Sequence, residues 1–137
     1  MIKESAKKTF RVLKMATPII LGILLLLNIL NPLFQKYYPL IFTGNYFLDP
    51  LIGALGGSIA FGIPFTAYIT GGELLKSGVS LLAVAAFVIA WTTVGIAMLP
   101  LEIKFLGKKF AILRNTVNFV LAIIISTLTI LTLHLLN

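Results

Sequence analysis

The sequence has no cysteine, one histidine and only four carboxylates, Glu4, Asp49, Glu73 and Glu102. Without cysteine there is no disulfide, no thiolate metal site and no thiol nucleophile. A single histidine and scattered acids build neither a metal centre nor a general acid–base pair, so the chain reads as a non-enzyme with no cofactor and no metal. Polar surface is scarce as well: charged residues make up 11% of the chain, apolar residues 59%, and the mean hydropathy is +1.07. A soluble domain departs far less from average composition. The expectation is an all-α integral membrane protein, a single transmembrane domain over residues 1–137.

What charge there is leans one way, with eleven Lys and Arg and a net charge of +7. All eleven lie outside the apolar runs or at their ends, a pattern of membrane topology rather than of nucleic-acid binding. Residues 1–14 form a basic arm with Lys3, Lys7, Arg11 and Lys14 on one helical face, suited to an anionic lipid leaflet as a docked helix or as a solvated tail. The run 15–34 exceeds a signal-peptide core and is long enough to cross ~30 Å of hydrocarbon. Tyr37, Tyr38, Tyr46 and Phe47 follow it as an interfacial belt. Runs 79–101 and 116–136 read as two further single spans, separated by a second basic cluster of Lys104, Lys108, Lys109 and Arg114. Within that connection Glu102 with Lys104 reads as loop chemistry, and His134 as a solvated or headgroup residue.

The segment 50–78 differs from a plain span. It is apolar, yet it carries Gly53, Gly56, Gly57, Gly62, Pro64, Gly71, Gly72 and Gly78. Glycine and proline weaken a helix by about 1 and 3 kcal/mol relative to alanine, and lipid offers no water to the freed backbone groups. Two arrangements compete. If 50–75 crosses as one helix, there are four transmembrane helices and the basic residues divide 6 to 5 between the two sides. If it folds back at Gly62-Ile63-Pro64 as a re-entrant hairpin beside three transmembrane helices, they divide 9 to 2. The second obeys the positive-inside rule with a cytoplasmic N-terminus, and it makes this a multi-pass protein of the plasma membrane.

A hairpin turn creates a site. The first N–H groups of the second leg lack acceptors within their own helix, and at mid-membrane they suit an anion or a polar oxygen. Ser58, Gly62, Pro64 and Thr66 surround that turn, and Thr92 and Thr93 in the next span can face it, with no fixed carboxylate nearby. The same residues have plainer explanations: Gly53 and Gly57 match the small-xxx-small spacing of packed helices, and threonine hydroxyls can bond their own helix. Glu73 and Lys76 suit an i,i+3 ion pair, with proton coupling by Glu73 as the alternative. Asn118, Ser126, Thr127, Thr129 and Thr132 form a polar seam suited to interhelix contact.

The order GGSIAFGIP, ITGGELLKSG, AAFVIAWTTVG and LPLEIKFLGKKFAILRN resembles one repeat of the permease family that includes the organoarsenical efflux permeases. The likeness covers residues 51–121, with matching motifs at 58–64, 76–78 and 90–95. Members of that family contain two such repeats, so the resemblance implies a half-size permease completed by a second copy or by another half-permease. Many relatives carry cysteines before the proline, where this chain has Ser58 and Ala60, which excludes thiol coordination of trivalent arsenic. The expected function is a homodimeric transporter of a small anionic or polar solute, in contact with membrane lipids and with no nucleic acid. The alternative is a non-transporting accessory or scaffold membrane protein.

Overall fold

In the computed structural model, which describes residues 2–60 and 63–136, every regular element is helical. The order is α1 (Ile2–Gln35), α2 (Tyr38–Ile41), α3 (Leu48–Ile59), α4 (Pro64–Lys76), α5 (Leu81–Thr93), α6 (Leu99–Leu106) and α7 (Lys108–Leu136). The basic arm and the first apolar run join in α1, a single helix of 34 residues.

Helix α5 is the post around which α3, α4 and α7 are arranged. Gly53 and Gly57 of α3 face Ala83 and Phe87 of α5, so the two helices run in the same direction. A Cβ on either glycine would run into the carbonyl of Ala83 or of Phe87, which is the close backbone approach that small residues permit. Ala54, Ala86, Ala90, Val94 and Ala122 continue this contact as a buried cluster. On another side of α5, Gly71 of α4 lies against Val84 and Val88, and the short connection 77–80 makes α4 antiparallel to α5.

Since α3 runs with α5 and α4 against it, the chain reverses between Ile59 and Pro64. Segment 50–75 is therefore a helical hairpin and not one helix. Its legs have 12 and 13 residues, about 18–20 Å each. Pro64 occupies the first turn of α4, where its missing N–H costs nothing and its fixed φ suits the helix. The feet of the hairpin are tied by Asp49, a buried carboxylate that accepts from Thr43 N at 3.1 Å, Gly44 N at 3.2 Å and Ser80 Oγ at 3.3 Å. Ser80 in turn caps α5 by accepting from Ala83 N at 3.3 Å. A carboxylate removed from water needs such partners.

The expected single span over 79–101 is corrected. Helix α5 ends at Thr93 after 13 residues, residues 94–98 are not helical, and α6 adds only eight more residues before Gly107 turns the chain into α7 at φ 87°. A continuous helix would require Pro100 to bond the Ile96 carbonyl, which it lacks the N–H to do and which its ring would strike. Helix α5 alone reaches about 20 Å, short of a bilayer core. Among the described residues α7 is the helix long and apolar enough to cross a membrane. It runs antiparallel to α5, with Asn118 beside Thr93 at one end and Ile130 and Leu131 beside Leu82 at the other.

Candidate functional site

Because α3 and α5 are parallel and in register, the two helix interruptions arrive at the same level. Ala60, at the end of the first, shares a cleft of about 240 Å³ with Thr92, Thr93, Gly95, Met98, Glu102 and Arg114 around the second. The level corresponds to residues 114–118 of α7, at the basic end of its apolar stretch rather than at its middle.

Side chains from α7 supply what the broken backbone lacks. Gly95 N donates to Asn115 Oδ1 at 2.8 Å, and Asn118 Nδ2 donates to the Thr93 carbonyl at 2.9 Å. Asn115 Nδ2 lies 2.9 Å from both Glu102 Oε2 and the carbonyl of Ala111. Arg114 Nη2 donates to Glu102 Oε1. Glu102 thus bridges α6 to two consecutive residues of α7, and with its side chain only 16% exposed it is largely taken from water. Such a pair is held because each partner compensates the other's desolvation. Arg114 Nε is buried and has no hydrogen-bond partner among the described residues.

The residues singled out from sequence separate into two groups. Thr92 and Thr93 do line the cleft, but their hydroxyls donate to their own helix, Thr92 to Val88 O at 3.2 Å and Ile89 O at 3.0 Å, Thr93 to Ile89 O at 2.7 Å. Ser58 is buried, donates to Ala54 O at 2.6 Å, and lines an adjoining apolar cavity of about 300 Å³ with Leu55, Val94, Asn115 and Phe119. Thr66 is buried and donates to Ile63 O at 2.7 Å, while Pro64 is exposed at the start of its helix. Gly62 lies outside the described residues. Glu73 and Lys76 form the expected pair at 2.9 Å, at the end of α4 remote from the hairpin turn.

The sequence reading missed the residues that dominate the cleft. Glu102 is not paired with Lys104 as loop chemistry but with Arg114 and Asn115. The expectation of a site without a fixed carboxylate is overturned with it. In α7 the polar seam is also narrower than expected. Asn118 reaches another helix, whereas Ser126, Thr127, Thr129 and Thr132 each donate to a carbonyl of α7 itself.

No family model, curated protein or solved structure matches this chain.

Proposed function

We propose that the chain is a half-size, multi-pass permease of the plasma membrane, N-terminus cytoplasmic, that transports a small anionic or polar solute as a homodimer or paired with a second half-permease. The observation that carries the reading is the meeting of two helix interruptions at one polar cleft beside the apolar core of α3, α5 and α7. Solute sites of transporters are built from half-helix ends, and here those ends meet toward the basic, cytoplasmic end of the α7 span, where they are covered by side chains of α6 and α7. The carboxylates do not converge on the cleft: Glu102 lines it, whereas Asp49 and Glu73 lie at the ends of α3 and α4 away from the turn, and membrane hydrolysis or transfer calls for grouped residues. The pairing of the basic cluster with the N-terminal arm on one side follows from the 9 to 2 division of Lys and Arg and the positive-inside rule.

The scaffold reading keeps one observation in its favour, the glycine contact of α3 with α5, which packing alone explains. Flux separates the two. Purified protein in liposomes should carry at least one of phosphate, sulfate, acetate, glycine or glycerol saturably, with flux lost in Gly57→Leu. Absence of flux for every solute from a folded, inserted protein would leave the scaffold. Orientation is tested separately with single cysteines at Ser5, Lys36, Lys76 and Lys109 of the cysteine-free chain, labelled from outside intact cells. Labelling of Lys36 and Lys76 but not of Ser5 and Lys109 is expected, and equal labelling of Ser5 and Lys36 would overturn the fixed topology.

A further inference from the structure

We infer that the cleft is an oxyanion site in which Arg114 is the recognition group and Glu102 is a built-in competitor for it. The inference deepens the transport reading by naming the solute chemistry, an anion presenting carboxylate or phosphate-type oxygens, and it rests on that reading only for the idea that the site carries traffic.

The argument starts from the donor inventory of the guanidinium. Arginine has five N–H groups in a fixed planar fork, and its Nε and Nη2 hydrogens share the edge that carboxylates and phosphates engage with two parallel bonds. Here Glu102 takes Nη2 through Oε1 and leaves Nε buried without a partner. The second oxygen of Glu102 is turned away to Asn115 Nδ2 at 2.9 Å. The internal carboxylate therefore makes one bond to a guanidinium that can make two to a carboxylate or phosphate. A buried charged donor without an acceptor is costly, so an external oxyanion that satisfies both hydrogens has an advantage over Glu102 at this edge.

Three further observations agree. The arginine side chain is 38% exposed and lines the cleft beside Thr92, Thr93 and Met98, so a small ion can reach its exposed atoms and gains the buried Nε once Glu102 moves aside. A Cβ on Gly95 would lie 3.7 Å from Glu102 Oε1 and 4.0 Å from Arg114 Nη2, so the glycine keeps the space beside the pair clear. Lys104, Lys108 and Lys109 are exposed around the same end of α6 and α7, and a positive field of this kind raises the local concentration of anions. The device implies exchange. The anion displaces Glu102 from Arg114, the displaced carboxylate keeps its hydrogen bond from Asn115 Nδ2 and turns toward the open cleft, and Glu102 retakes the arginine when the anion leaves, so Arg114 is never left without a counter-ion.

The test is binding of inorganic phosphate and of acetate to the full chain in detergent, by calorimetry, rather than flux. Glu102→Gln keeps the shape of the side chain and a partner for Asn115 while removing the competing charge. It should tighten binding of at least one of the two anions by about tenfold. Arg114→Lys keeps the charge but loses the two-hydrogen edge and should weaken binding about tenfold, and Arg114→Gln should abolish it. Lys109→Gln should change affinity less than threefold. Helical circular dichroism and a monodisperse elution profile report folding, and since an unfolded variant cannot gain affinity, the Glu102→Gln arm stands independently of the losses. Unchanged affinity in Glu102→Gln, equal losses in Lys109→Gln and Arg114→Lys, or no binding of either anion by any variant would overturn the site. Binding that behaves as expected without flux in liposomes would instead retain the site and reject the permease.

Discussion

The seam between α3 and α5 and the break between α5 and α6 lie within a few residues of each other, yet they are held by opposite means. At the seam the side chains are nearly absent: Gly53 and Gly57 bring one backbone against another, and Ala54, Ala86 and Ala90 fill what space remains. At the break the helix is interrupted, and the polar side chains of Asn115 and Asn118 stand in for the lost backbone bonds. The seam is a rigid contact with no alternative partner. The break is a set of exchangeable hydrogen bonds around a charged pair, and only this second kind of contact can open for a solute and close again.

The largest effect should come from filling the seam. Gly53→Ala or Gly57→Ala places a methyl group against a backbone carbonyl that cannot rotate away, so the helices must separate. Overpacking typically costs about 1–3 kcal/mol; with backbone as the obstacle, a loss at the upper end is expected, against at most ~1 kcal/mol gained in helix propensity. Thermal unfolding of the purified chain in mild detergent measures it. A variant as stable as the parent would show that α3 does not rest on α5 in this register.

Next comes Asn115→Leu. It leaves the Gly95 N–H and one oxygen of Glu102 without partners, for an expected loss of about 1–3 kcal/mol. Unlike the seam variants, it should also loosen the break locally. Hydrogen exchange at residues 94–98 should rise while α3 and the first turns of α5 stay protected. A uniform rise across α3 and α5 would mean that the two regions form one cooperative unit.

The seam and the hairpin were legible in the sequence because glycine and proline mark backbone directly. Gly53 and Gly57 are spaced to put both on one helical face, and the Gly62-Ile63-Pro64 stretch placed the reversal beside the observed start of α4 at Pro64. The second break carried the same kind of signal, Gly95 followed by Pro100, but it lies in an apolar run long enough for a span, and length won over punctuation. The Glu102–Arg114 pair was not legible at all. Twelve positions and a turn at Gly107 separate the two residues, and only the angle of that turn decides whether they meet. Asp49 was hidden for the same reason, since its partner Ser80 lies 31 positions away.

A glycine away from the seam offers a control of opposite sign. Gly72 lies within α4 with nothing within 4 Å of a Cβ built on it. Gly72→Ala should therefore raise stability by about 0.5–1 kcal/mol, the ordinary propensity gain in a helix interior. Destabilisation of the size expected at Gly53 would indicate that α4 has a close neighbour, as a second copy of the chain would supply, and cross-linking in mild detergent would then be the measurement to pair with it.

The smallest effect is expected at Thr92 and Thr93, and it sharpens the chemistry of the break. Both hydroxyls donate their hydrogens to carbonyls one turn back in α5, so what they can show to the cleft is lone pairs. Lone pairs receive N–H and O–H groups and repel oxyanions. Replacing each threonine with valine keeps shape and removes only the hydroxyl; since such back-bonding adds little to helix stability, the change in unfolding free energy should stay within about 0.5 kcal/mol. Binding of phosphate or acetate should likewise be unchanged or slightly tighter, whereas a solute recognised through its own donors would lose affinity, by about 1 kcal/mol for each hydrogen bond removed. Calorimetry with phosphate and with glycerol on the double variant distinguishes these. Weakened phosphate binding would mean that the threonines turn their hydrogens toward the anion and that Arg114 does not act alone.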